Sequence, residues 1–143
     1  MKTKQELSIN VLEASLERIA YTFDHFDRIA VSFSGGKDST VMMHLVCQEA
    51  IKRNRKVGIM IVDLEAQYSA TVDHLHNMVN RYRKCIDLHW VCLPISLSNA
   101  VSNFEPRWEP WQPGREDVWV REFPEEDVIK DLDAYPFFYE GME

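Results

Sequence analysis

The chain has 143 residues, 45% apolar and 27% charged, which is enough for one ordinary core and excludes a wholly disordered polymer. Its formal net charge is −7, from 16 Lys and Arg against 23 Asp and Glu, so generic phosphate-backbone binding is not expected as the main activity. The three cysteines (Cys47, Cys85, Cys92) lack CxxC spacing; they fit a reducing compartment better than a disulfide framework or a four-cysteine metal site.

The first residues are polar, with no apolar signal core, and no apolar run approaches the ~20 residues of a membrane span. A cytoplasmic protein is expected. Ile9, Leu12, Leu16, Ile19 and Phe23 recur at helical spacing and predict an amphipathic helix over Lys4 to Tyr21 with one buried stripe. Phe23 to Asp27 then turns the chain. Arg28 to Phe33 predicts a short buried strand, and Ser34 to Lys37 a tight loop. Asp38 to Asn54 predicts a second helix with Val41, Met42, Leu45 and Val46 inward. Lys56 to Leu64 is continuously apolar at strand length, as in a parallel strand covered on both faces. A third helix over Ala66 to Lys84 carries Val72, Leu75, Val79 and Tyr82 on one stripe, and Leu88 to Ile95 is a third strand.

Strands alternating with helices at these lengths imply an α/β fold, a three-layer parallel sheet of Rossmann-like kind with right-handed crossovers. With three strong strands it is a minimal or shortened version. Residues 95–124 contain Pro106, Pro110, Pro113, Pro124, Trp108, Trp111 and Trp119, and so predict an irregular lid rather than a long helix. Residues 1–124 are expected to form the main domain and 125–143 an acidic tail. The tail holds seven acids against one base, net −6; the 15 bases and 16 acids before it leave −1. Its aromatic run, Tyr135 to Tyr139, is expected to dock on the body, a partner or a second copy.

Ser32-Phe33-Ser34-Gly35-Gly36-Lys37-Asp38-Ser39-Thr40 lies between a strand and a helix, the context an anion-binding loop requires. Adjacent glycines let the backbone approach an anion, and the helix dipole adds about half a positive charge. Ser34, Ser39 and Thr40 offer hydroxyls, and Lys37 a full charge. Asp38 would repel a phosphate unless a cation lies between them, which makes it a natural Mg²⁺ ligand. The loop is not a Walker A motif, because position 31 is Val31, and Gly-x-Gly-x-x-Gly is absent.

Ser34-Gly35-Gly36-Lys37-Asp38-Ser39 resembles the PP-loop, Ser-Gly-Gly-x-Asp-Ser, of the adenine nucleotide α-hydrolase superfamily, which includes ATP pyrophosphatases and phosphoadenosine phosphosulfate (PAPS) reductases. Val62 to Tyr68, Trp108 to Trp111 and Trp119 to Glu122 resemble the PAPS reductase-like branch, and within it the immunoglobulin-binding regulator A type. The resemblance implies a nucleotide at the C-terminal edge of the sheet, with Ser34, Gly35, Gly36 and Ser39 around a pyrophosphate or equivalent group. It implies ATP or PAPS with Mg²⁺ as ligands, and chemistry at the α-phosphate. PAPS reductases use a cysteine in a Glu-Cys-Gly-x-His context. This sequence has no such context and no cysteine after Cys92, so PAPS reduction by this chain alone is not expected, nor is an iron–sulfur cluster.

Several weaker signals remain. Asp63 and Glu65, at the end of the second strand, could bind Mg²⁺ or ribose hydroxyls, or Glu65 could start the following helix. The basic clusters Lys52 to Lys56 and Arg81 to Lys84 sit at helix C-termini, where they complement the dipole, so nucleic acid is not an expected partner. His74 and His76 should diverge on their helix, and His44 should pack or face solvent. The Trp and Arg residues of 107–121 could close over an adenine or simply pack, with Arg121 a minor candidate for an anion. A regulatory protein that kept the loop and lost the chemistry is the alternative to an enzyme. Its protein partner or second copy would use a sheet edge or the tail.

Overall fold

The computed structural model describes residues 8–99, 101–126 and 128–131. The first helix, α1, spans Val11–His25. It starts later than its apolar spacing suggests, because Asn10 caps it. The Asn10 side chain accepts from the Glu13 amide, and Glu13 accepts from the Asn10 amide. This reciprocal box satisfies two donors that a helix start leaves open. The helix also runs through the expected turn to His25. Of the expected stripe, Phe23 is buried and Ile19 packs against the core, whereas Leu12 is 55% exposed and Leu16 37%.

Strand β1 is Ala30–Ser32 and helix α2 is Lys37–Lys52. Strand β2 is Val57–Val62, helix α3 is Ser69–Tyr82, and strand β3 is Ile86–Val91. Two short strands, β4 (Leu97–Ser98) and β5 (Arg107–Trp108), pair antiparallel with each other. A 3₁₀ turn at Glu116–Val118 follows, then β6 at Val128–Ile129. The main sheet is parallel throughout, in the order β1-β2-β3-β6. Its fourth strand thus comes from the start of the acidic stretch. Tyr135 to Tyr139 lie outside the described residues.

The register explains the core. Val31 pairs with Ile59, Ile59 with Leu88, and Ile61 with Trp90, so these side chains share one face of the sheet. They join one cluster with Met43, Val46, Cys47 and Ala50 of α2 and Leu75, Met78, Val79 and Tyr82 of α3. Helix α2 is therefore rotated from its expected setting: Met43 is buried, while Val41 is 57% exposed and Met42 47%. β2 alternates as well. Val57, Ile59 and Ile61 are buried, but Met60 and Val62 on the opposite face are exposed. Continuous hydrophobicity suggested cover on both faces; among the described residues, the helices cover one.

Both α2 and α3 begin at the C-terminal edge of the strands. At the N-terminal edge the first basic cluster is spent on the scaffold. Arg53 pairs with Asp24 and Glu49, Lys56 pairs with Asp87, and Arg55 donates to the carbonyls of Phe23, Phe26 and Asp27. No helix among the described residues is long and apolar enough to cross a membrane.

Candidate functional site

The loop after β1 reverses the chain in four residues. Gly35 does this with φ +75°, a conformation that side-chain-bearing residues avoid. A Cβ there would also lie 3.1 Å from Leu75 Cδ2 and 3.2 Å from Thr71 Cγ2. The loop is thus pressed against α3. Gly36 differs. Its φ of −73° suits any residue, and a Cβ would meet only the hydroxyls of Ser34 and Ser39, at 3.5 and 3.9 Å. Nothing in the backbone demands glycine at position 36.

Gly36 is the N-cap of α2 and supplies no side-chain cap. The first-turn amides therefore gain nothing from it, and the dipole is concentrated at an exposed loop. The hydroxyls form a ring around this residue. The Gly36 amide lies 3.4 Å from Ser34 Oγ, Ser34 Oγ lies 3.0 Å from Ser39 Oγ, and Ser39 Oγ donates to the Gly36 carbonyl at 3.0 Å. A hydroxyl has one hydrogen, so Ser34 donates to Ser39. Thr40 Oγ1 donates to the same carbonyl at 2.8 Å and lies 2.9 Å from His74 Nε2 of α3. Lys37 and Asp38 are exposed in the first turn. Ser32 is exposed on β1, beside its register partner Met60, and takes no part in the hydroxyl ring.

Asp63 is placed otherwise than a free ligand would be. It is fully buried, and its oxygens accept from the Glu65 amide, Trp90 Nε1 and Arg121 Nη2. Glu65 does not start a helix. It is buried, holds φ +61°, and its two oxygens accept from the backbone amides of Trp111 and Val120, each at 2.7 Å. Trp111 Nε1 donates to the Asp63 carbonyl, and Arg121 Nε to the Glu65 carbonyl. The Trp-rich segment is therefore strapped to the end of β2. Trp111 is buried and packs on Trp119 and Phe123, with the Arg121 guanidinium 5.0 Å from its ring centroid. Sequence reasoning left Glu65 and Arg121 among its minor candidates and did not connect them, because the partners are 46 to 56 residues apart.

The chain matches the phosphoadenosine phosphosulfate reductase domain family over residues 28–138, with the loop just inside the start of that match. It belongs to that family. It is 39% identical over 140 residues to the uncharacterized protein YbdN of Escherichia coli (strain K12), across 97% of this chain and 34% of that protein. The chain thus spans about a third of the length of this relative. No solved structure matches. Membership of the reductase-domain family, with the Ser-Gly-Gly-x-Asp-Ser loop, makes this a nucleotide-binding PP-loop family protein.

The cysteines of this reductase-domain chain lie in the core. Cys47, Cys85 and Cys92 are all buried. Burial, with Cys85 beside it, pushes the Cys47 thiol up to about 12. Burial, with the Asp63 carboxylate nearby, pushes Cys92 up to about 12 as well. A sulfur nucleophile needs the opposite environment. The histidines separate as their spacing implies. His74 faces Thr40 and the edge of Phe33, while His76 pairs with Glu126 and lies against Trp90. His44 contacts the Tyr82 hydroxyl at 2.5 Å; burial, then the charges of Arg81 and His74, hold it below the usual imidazole range.

Proposed function

We propose that this chain binds an adenine nucleotide, ATP or PAPS, through the loop Ser34 to Thr40, with Mg²⁺ shared between Asp38 and the nucleotide phosphates. The observation that carries the reading is Gly36. It is a glycine that the backbone does not require, at the uncapped start of an exposed helix, in a chain of this family. A Cβ there would fill the space above the hydroxyls, which is where an anion would rest.

In this reading, the amides of Lys37 and Asp38 face the anion, and the ammonium of Lys37 follows the leaving group. Ser34 turns its one hydrogen from Ser39 toward a phosphate oxygen, while Ser39 keeps its hydrogen on the Gly36 carbonyl. Asp38 is an oxygen donor suited to Mg²⁺, which takes one or two carboxylates together with substrate phosphates. Among the described residues no group of three or more His, Cys, Asp or Glu could hold a metal alone. Asp38 would hold a cation that supplies charge neutralisation for the pyrophosphate leaving group, where water attacks the α-phosphorus to give AMP. Asp63 is left out of this site, because its oxygens are committed to the strap.

A second reading has one specific observation in its favour. With every cysteine in the core, no thiol is free to attack the sulfur of PAPS, and a binding or regulatory role would not need one. Calorimetry with ATP and with PAPS, each with Mg²⁺, and product analysis separate the two. AMP and pyrophosphate, lost in Asp38→Asn while the fold persists, support the enzyme. Tight binding without turnover supports the regulator. No binding of either nucleotide overturns both.

A further inference from the structure

We infer that His74, on α3, is a positioning residue for the PP-loop, acting through Thr40; this rests on the reading of that loop as the phosphate site. The inference starts from hydrogen counting. Thr40 Oγ1 lies 2.8 Å from the Gly36 carbonyl and 2.9 Å from His74 Nε2. Its single hydrogen cannot serve both. The carbonyl can only accept, so the hydroxyl donates there, and His74 must present Nε2–H to the hydroxyl oxygen.

The chain Nε2–H to Thr40 to Gly36 has a structural consequence. The Gly36 carbonyl receives the Thr40 amide at 2.9 Å, the Thr40 hydroxyl and the Ser39 hydroxyl. These bonds fix the Gly36–Lys37 peptide plane. The carbonyl is drawn into the helix, so the Lys37 amide on the other side of that plane points outward, to where a phosphate would sit. His74 sets the direction of one of the three bonds from a different element. Its ring is held edge-on to Phe33, and the next residue, Leu75, presses on Gly35. Helix α3 thereby sets both the position of the loop, through Gly35, and the orientation of its amides, through His74. Thr40 is in this account a relay and not a phosphate donor.

The test uses the full chain with the variants His74→Leu, His74→Gln, Thr40→Val and the double variant Thr40→Val/His74→Leu. His74→Leu should weaken Mg-ATP or PAPS binding by about tenfold. His74→Gln, whose amide can donate from nearly the same point, should recover affinity to within about threefold. The double variant should bind no worse than Thr40→Val, because both act along one chain of bonds. Independent additive losses, or wild-type affinity in His74→Leu, overturn the inference. An imidazole ¹⁵N–¹H spectrum of the nucleotide-free protein gives a readout that needs neither ligand nor the leucine variant. His74 should appear as the Nε2–H tautomer with an Nε2 proton that exchanges slowly with solvent, and that protection should be lost in Thr40→Val. An Nδ1–H tautomer in the wild type overturns the inference. If neither nucleotide binds the wild type while the tautomer behaves as stated, the phosphate-site reading has failed and the His74–Thr40 tie has not.

Discussion

The two loop glycines are adjacent, yet they are glycine for different reasons, and that difference can be measured. Gly35 is required by the fold: φ is +75° and α3 leaves no room for a Cβ. Gly35→Ala should cost about 1–2 kcal/mol for the left-handed backbone alone, with more from the contacts at 3.1 and 3.2 Å. Gly36→Ala meets neither obstacle. Its stability should fall by no more than about 1 kcal/mol, the preference for Gly over Ala at an N-cap, while affinity for Mg-ATP or PAPS should fall tenfold or more. Urea denaturation and calorimetry on the two variants check this. Equal losses of stability would remove the case for an anion above Gly36. An alanine at 36 that binds as well as wild type would do the same.

Among the elements, the strap between β2 and the Trp-rich segment makes the sharpest claim. Glu65 accepts two backbone amides from residues far along the chain, in a buried site. Glu65→Ala leaves both amides without an acceptor, at about 1–3 kcal/mol each. Glu65→Gln should lie between, because its amide group sets a donor against one of those donors. A loss of roughly 3 kcal/mol for alanine and a changed near-ultraviolet circular dichroism from Trp111, Trp119 and Phe123 are expected. A variant with wild-type stability and spectrum would show that the strap holds nothing. The strap also marks where sequence reading ends. Periodicity and the Gly-Gly loop made the α-β-α-β-α-β order and the PP-loop legible, since those signals are local. The Asn10–Glu13 cap was equally local, but the apolar spacing around it pointed elsewhere. The inward face of α2 was ambiguous, because Val41 and Met42 are as apolar as Met43, and only the register of β1 and β2 decides which turns in. Asp63 and Glu65, at a strand end on the expected ligand edge, read as well as ligands as Glu65 did as a helix start; the donors that claim them are 27 to 58 residues away.

On the scale of the whole molecule, the cysteines report how far the fold acts as one unit. Cys47 comes from α2, Cys85 precedes β3 and Cys92 follows it, yet all three lie in one cluster with the sheet and both crossover helices. Their local chemistry offers no shortcut to reaction. A thiol pushed up to about 12 stays protonated at pH 8. Labelling of Cys47 and Cys92 should therefore proceed through opening of the core, after which an unfolded thiol near its ordinary range reacts quickly. Thiol-reagent labelling at pH 8 in rising urea should modify the cysteines together, at rates that follow global unfolding. A ligand that binds only the folded chain slows that opening by the factor 1 + [L]/Kd, about a hundredfold at a hundred times Kd. Mg-ATP or PAPS should thus protect Cys47, although its residue lies on α2 well past the loop, if the nucleotide engages the start of that helix. Fast labelling of one cysteine in the native protein would show that the core opens by parts. Protection of Cys47 without protection of Cys92 would show that nucleotide holds α2 alone, and that β3 opens independently of it.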